Sequence, residues 1–379
     1  MIGRLVGFDS TSYLSNLELI GFIRDYLAGL GVESRLTFDD ERRKANLFAT
    51  LGPAGRPGIV LSGHTDVVPV EGQPWDSEPF SATQRGDRLF GRGTADMKSF
   101  IAVCLAMVPD FLSRQPSAPL HLAFSYDEEV GCIGVRRLIA DLQANLPVAP
   151  RLCVVGEPTE MRVIIGHKGK KSMRCRVRGL ECHSALAHRG VNAVEAAAEA
   201  VAHLKAMARR LRDFGPHDDE FDPPFTTIHT GVIHGGTALN IVPRECWFEF
   251  EIRNLPGDDP DALLDEARAH VERVLVPEMH AVDLETGFTW EEVNTTPGLA
   301  MRHDDEAVRF VTALTGANAS GRVSFGTEAG LFQEAGVPTV VCGPGSIEQA
   351  HKPNEFIALD QVAQCERFIE RLIEATCRR

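Results

Sequence analysis

At 379 residues the chain is longer than one hydrophobic core usually serves, so two domains are expected. Hydrophobic residues make up 44% and charged residues 24%, a balance that excludes a disordered or low-complexity chain. The net charge of −14 argues against nucleic acid as a partner, because phosphate backbones require a basic face. The nine cysteines are odd in number and scattered, and no C-x-x-C pair occurs. Cys104, Cys153 and Cys342 lie inside apolar runs, so reduced core thiols in a reducing compartment are expected. The N-terminus shows no basic-then-apolar signal region, and no apolar run approaches ~20 residues. The expectation is a cytoplasmic protein without membrane contact.

In chain order, apolar positions 20, 23, 27 and 30 predict a helix over 16–30, with Ser15 or Asn16 as N-cap and Gly31 as the stop. Strand-like segments follow at 32–37 and 45–51. Ile59, Val60 and Leu61, after a Pro57-Gly58 break, form the short β-branched run of a buried parallel strand, and His64 stands at its end. Open α/β sheets place ligands at such ends. Asp66 is within reach of that imidazole. A carboxylate on the second ring nitrogen fixes the tautomer and raises basicity, as a metal-bound histidine requires.

Next come Leu89-Phe90-Gly91-Arg92-Gly93-Thr94-Ala95-Asp96 and a helix through Ile101, Leu105 and Val108. Gly91-x-Gly93 lacks the third glycine and downstream acid of a dinucleotide loop, and Gly169-Lys170-Lys171-Ser172 lacks the leading glycine of a phosphate loop. A strand at 120–126 runs into Asp127-Glu128-Glu129-Val130-Gly131, with a helix predicted over 133–142. A strand at 152–155 ends at Gly156-Glu157-Pro158-Thr159. Another, at 337–341, ends at Cys342-Gly343-Pro344-Gly345 and leads to His351. Strands alternating with helices predict an α/β, doubly wound, mostly parallel sheet.

Between 173 and 282 the pattern changes. A strand (172–179), a helix (191–211), two strands (226–234 and 245–253), a helix (260–275) and a strand (280–288) are predicted. Asp258 or Asp259 caps the second helix, with Pro260 in its first turn. The order β-α-β-β-α-β is the split βαβ, ferredoxin-like unit. Residues 1–172 and 283–379 are thus expected to form a discontinuous larger domain, with 173–282 inserted as a smaller one.

His64, Asp96, Glu128, Glu129, Glu157 and His351 all fall at strand ends or in adjacent turns. Taken singly, Asp96 also suits a helix N-cap, Glu128 and Glu129 suit charges at a helix start, and Glu157 suits a turn. Gathered at one sheet edge, carboxylates would repel each other without cations between them. Imidazoles with carboxylates suit zinc, with cobalt or manganese as substitutes. Two ions sharing one carboxylate would leave Glu128 free to act as a base.

Gly63-His64-Thr65-Asp66-Val67-Val68-Pro69, Gly91-Arg92-Gly93-Thr94-Ala95-Asp96-Met97-Lys98, Asp127-Glu128-Glu129-Val130-Gly131 and Gly156-Glu157-Pro158-Thr159 occur in this order. In these motifs the chain resembles the co-catalytic zinc, M20-type peptidase and deacylase family over nearly its whole length. Phe325-Gly326-Thr327-Glu328-Ala329 and the segment Gly343-Pro344-Gly345 to His351 resemble its acetylornithine deacetylase branch. The resemblance implies two zinc ions, with cobalt able to substitute. Asp96 would bridge them, His64 and Glu157 would hold one, and Glu129 and His351 the other. It implies Glu128 as acid/base, Asp66 behind His64, and a cis peptide after Asp96. Ser99, where glycine commonly stands, and the run Ser184-Ala185-Leu186-Ala187-His188 depart from the family pattern.

The activity implied is hydrolysis of an N-acyl amino acid, foremost N-acetylornithine to ornithine and acetate in arginine synthesis. Succinyl-diaminopimelate, other N-acyl amino acids and dipeptides are alternative substrates, and a non-catalytic binding protein is a remoter one. His183 is the expected oxyanion donor. In the family that histidine comes from the smaller domain, often the partner subunit's, which implies a homodimer. Arg253, on the polar face of a strand opposite Phe248, Phe250 and Ile252, suits a substrate carboxylate, as do Asn240 and Gly326 in their loops. A cross-strand ion pair with an acid is the alternative for Arg253, and a turn role for Asn240.

Overall fold

The strand Ile59–His64 is buried from end to end, as an unbroken apolar run requires when both faces of a sheet are covered. The structure is a computed structural model describing residues 1–317 and 319–377. In it this strand pairs in parallel with Leu120–Ser125 on one side and Leu152–Pro158 on the other. Thr339–Gly343 continues the parallel centre beside Leu152–Pro158. Antiparallel strands flank it. Ala45–Leu51 and Ser34–Phe38 lie at one side, and Val163–His167 lies beyond Thr339–Gly343.

The helix Lys98–Ala106 is almost wholly buried and packs against Leu152–Pro158. Gly156 makes that approach possible, since a Cβ there would fall 2.1 Å from the Phe100 ring. The helix Ile133–Asn145 covers Ala45–Leu51 and Leu120–Ser125. The fold is therefore α/β and doubly wound, with a parallel centre. His64, the Glu128–Glu129 turn and Glu157 all follow from the carboxyl ends of its central strands.

The chain divides into two compact units. The larger comprises Met1–Gly166, Leu299–Arg322 and the chain from Thr327 onward, and the smaller comprises His167–Gly298 with Val323–Gly326. In the smaller unit a four-stranded antiparallel sheet has the order Thr227–Gly235, Glu245–Arg253, Lys170–Arg178, Gly287–Thr296. The helices Ala193–Phe214 and Pro260–His270 bury Ala197, Leu204, Leu264 and Ala267 against Met173, Cys175, Phe248 and Phe250.

The last strand of that sheet begins at Gly287, not at 280. Val271, Leu275 and Met279 are all buried at a spacing of four, so the helical face that starts at Pro260 continues through Val276–His280. Short strands at Thr83–Arg85, Arg88–Phe90 and Phe356–Ala358 and the long helix Leu359–Cys377 had no counterpart in the sequence reading. No helix among the described residues is long and apolar enough to cross a membrane.

Candidate metal centre

The strand ends bring the predicted side chains together. His64 is 1% exposed, and its Nε2 lies 2.9 Å from Asp96 Oδ1 and 3.7 Å from Glu157 Oε1. Asp96 turns its other oxygen to His351 Nε2 at 3.5 Å, and Glu129 Oε2 lies 3.0 Å from that same nitrogen. Asp96 therefore stands between the two imidazoles. The ligand atoms of His64, Glu128 and Glu157 lie within 4.8 Å of one another, as do those of His64, Asp96 and Glu129.

Asp66 meets the second ring nitrogen of His64 and holds a second element as well. His64 Nδ1 donates to the Asp66 main-chain carbonyl at 2.9 Å, while the carboxylate stands 3.6 Å away. That carboxylate accepts the backbone N–H groups of Glu128 (3.1 Å) and Glu129 (3.2 Å) and the Ser12 hydroxyl (2.8 Å). With these three donors converging on it, Asp66 also fixes the turn that carries both glutamates.

Two further buried carboxylates organise the site: Glu355, which did not stand out in the sequence, and Glu328, which lies in the Phe325–Ala329 motif without an assigned role. Glu355 accepts the backbone N–H groups of Gly93, Ala95 and Asp96 and one Arg92 nitrogen, at 2.7–3.0 Å. Glu328 accepts the hydroxyls of Ser62 (2.6 Å) and Ser125 (2.7 Å), tying together the two adjacent strands that lead to His64 and to the glutamate turn. The hint for Glu328 was its motif, and for Glu355 the neighbouring Asn354 alone. The departure at Ser99 is accommodated, because its buried hydroxyl donates to the Thr94 carbonyl at 2.5 Å.

Burial pushes the Glu128 carboxyl up to about 8, with the negative charge of Glu129, Asp96 and Asp66 adding to it. Glu157 is driven well above the carboxylate range by burial and by Asp96, and Glu129 moves the same way for the same reasons. Burial also opposes ionisation of Asp96, but His351 and His64 outweigh it and hold that carboxyl low. Asp96 and Glu129 in turn lift His351 to about 10. Glu157 Oε1 is buried with no hydrogen-bond donor. Buried carboxylate oxygens in excess of donors, with imidazole nitrogens among them, match what divalent cations bind.

The alternative local roles are not the ones these residues take. Met97, not Asp96, is the N-cap of Lys98–Ala106, and no side chain caps that helix. The helix Ile133–Asn145 starts only after Cys132, beyond both glutamates. The Asp96–Met97 peptide is cis, as the resemblance implied.

His183, Asn240, Arg253 and Gly326 belong to the smaller unit. His183 and Asn240 are exposed and adjacent, since Ser184 N–H donates to the Asn240 carbonyl at 3.0 Å. His183 Nδ1 accepts the Ala185 N–H at 3.0 Å, which leaves the proton on Nε2. Arg253 Nε donates to Glu251 at 2.8 Å along the same strand face, so an acid partner is present, two residues away rather than across the sheet.

A doubly wound sheet that gathers carboxylates and imidazoles at its strand ends has the donor set of a divalent-metal site, and sequence comparison makes the protein a metal-dependent amidohydrolase. The chain belongs to peptidase family M20/M25/M40, whose pattern matches residues 60–375. It is 35% identical to the acetylornithine deacetylase of Proteus mirabilis over 378 residues, covering 97% of this chain and 92% of that one. Against the acetylornithine deacetylase of Myxococcus xanthus the identity is 35% over 379 residues, covering 98% and 96%. Among solved structures, an M20 family metallo-carboxypeptidase from Sulfolobus solfataricus superposes with a TM-score of 0.78 at 17% identity, covering 99% of this chain and 98% of that one. A dinuclear metal-binding M20 peptidase from Bacillus subtilis superposes at 0.67 with 13% identity, covering 98% and 97%.

Proposed function

We propose that this chain is a two-zinc deacylase that cleaves N-acetylornithine to ornithine and acetate, a step of arginine synthesis in the cytoplasm. Near full-length likeness to several acetylornithine deacetylases supports the substrate. One observation carries the chemistry: Asp96 offers one oxygen to each of two histidines, and each histidine has its own glutamate, Glu157 or Glu129. In this reading His64, Asp96 and Glu157 hold one ion and Asp96, Glu129 and His351 the other, with Glu128 left over. When bound, such a pair of ions polarises the acyl carbonyl and lowers the pKa of water between them to about 7.

The side chains do the rest. Glu128 takes a proton from the attacking water and returns it to the amide nitrogen as the C–N bond breaks. His183, with its proton on Nε2, is the donor for the developing oxyanion. Arg253 receives the substrate carboxylate, with Asn240 and Gly326 supporting it. All nine cysteines are free, which favours a reducing compartment. Thr227–Gly235 is an edge strand with Val232 and Ile233 exposed, which favours a homodimer through the smaller unit.

The test is to assay the zinc- or cobalt-loaded protein against N-acetylornithine, N-succinyl-diaminopimelate and other N-acyl amino acids. A preference for either of the latter over N-acetylornithine would move the substrate while leaving the chemistry standing, and no hydrolysis of any would favour a binding protein. In the same assay, Arg253→Ala is expected to raise KM by about 10–100-fold with kcat little changed, the loss of one charge-assisted bond. An unchanged KM would assign the substrate carboxylate elsewhere.

A further inference from the structure

His351 is an unusual residue to depend on for a ligand. Its backbone is left-handed, at φ +64°, and its side chain is 56% exposed, so packing does little to hold it. What holds it is a polar chain. The His351 carbonyl accepts Gln73 Nε2 at 3.0 Å, and Gln73 Oε1 accepts Arg92 Nη2 at 2.6 Å and Trp75 Nε1 at 3.2 Å. Arg92, 1% exposed, passes its other end to Glu355 at 2.8 Å. Glu355 is the carboxylate that also takes the Asp96 N–H, at 3.0 Å. The two segments bearing Asp96 and His351 are therefore locked to each other through Glu355, Arg92 and Gln73. Asp76 and Asn354 add ties between the Gln73 segment and the His351 loop, at 2.8 and 3.0 Å, and Arg92 Nη1 donates weakly to the Lys352 carbonyl at 3.3 Å.

We propose that Gln73 is a positioning residue that sets His351 against Asp96, and with it the affinity for the ion on the His351–Glu129 side alone. This rests on the reading of those residues as ligands. Gln73 is only half-buried, and its amide can be dissected. Gln73→Glu keeps an acceptor for Arg92 but cannot donate to the His351 carbonyl, whereas Gln73→Leu removes both links.

The experiment titrates metal-stripped wild type and both variants with Zn²⁺ by calorimetry, and with Co²⁺ by visible absorption. Thermal unfolding of the metal-free proteins is measured alongside. Both variants should bind one ion as wild type does and the other about 10–100-fold more weakly, the usual cost of removing a residue that orients a ligand. The Co²⁺ spectrum should change only in the second equivalent, and the metal-free unfolding temperature of Gln73→Glu should match wild type. Two ions bound at wild-type affinity in Gln73→Glu, or equal weakening of both, overturns the clamp and leaves the ligand assignment standing. Fewer than two ions on the wild type overturns the ligand assignment, and the clamp with it.

Discussion

Replacing Glu128 with alanine should leave two ions per chain and lower kcat by roughly 10⁴-fold, the upper end of what a positioned acid/base contributes. Glu128 has the surroundings of a proton carrier. It is half-buried, its carboxyl is pushed up to about 8, and it accepts only a weak bond among the described residues, from the Cys132 thiol at 3.4 Å. Its backbone is pinned by Asp66, so the truncation removes the carboxylate without releasing the turn. Metal analysis and steady-state kinetics on the same preparation decide the matter. Metal loss in proportion to activity would make Glu128 a ligand instead, since its oxygen lies within ligand spacing of His64 and Glu157. Activity near wild type would remove it from the chemistry altogether.

Asp96→Ala should cost both ions. Asp96 is the residue whose two oxygens reach the two histidines, and its low carboxyl pKa keeps it anionic without help from metal. Elemental analysis should show the content falling from two ions per chain to less than one, with kcat/KM reduced by at least 10⁴-fold, an order typical of removing an essential catalytic element. His351→Ala supplies the contrast, because it should lose one ion and keep the one beside Glu157. Two firmly bound ions in Asp96→Ala would mean that each histidine pairs with its own glutamate and no carboxylate is shared.

How much of this was legible beforehand depended on whether local sequence or distant partners decide the outcome. Ile59–Val60–Leu61 and the run beginning at Leu152 are β-branched and uninterrupted, so their burial could be read directly. His64, Asp96, Glu128, Glu129, Glu157 and His351 could be gathered because each ends or follows such a run. The helix that begins at Pro260 runs past the expected end at 275, because the buried spacing of Val271, Leu275 and Met279 continues the same face. Asp66 stands beside His64 as its spacing indicates, but the hydroxyl and N–H groups that hold its carboxylate come from Ser12 and from a turn more than sixty residues away. Glu355 and Gln73 were illegible for the same reason, each looking like an ordinary surface residue until the fold supplies the Asp96 loop or the His351 carbonyl. Glu328 stood in a motif, but its partners Ser62 and Ser125 could not be read from it.

Because His64 stands near the beginning of the chain and His351 near its end, the inserted smaller unit lies between them in synthesis. A ribosome must therefore deliver most of the polypeptide before any nascent chain presents a complete nest for the cations. Glu355, which orders the Asp96 loop, emerges later still. A product terminated before Glu355 would consequently carry half a cradle with its anchor missing, and metal uptake reports that synthesis has passed that residue.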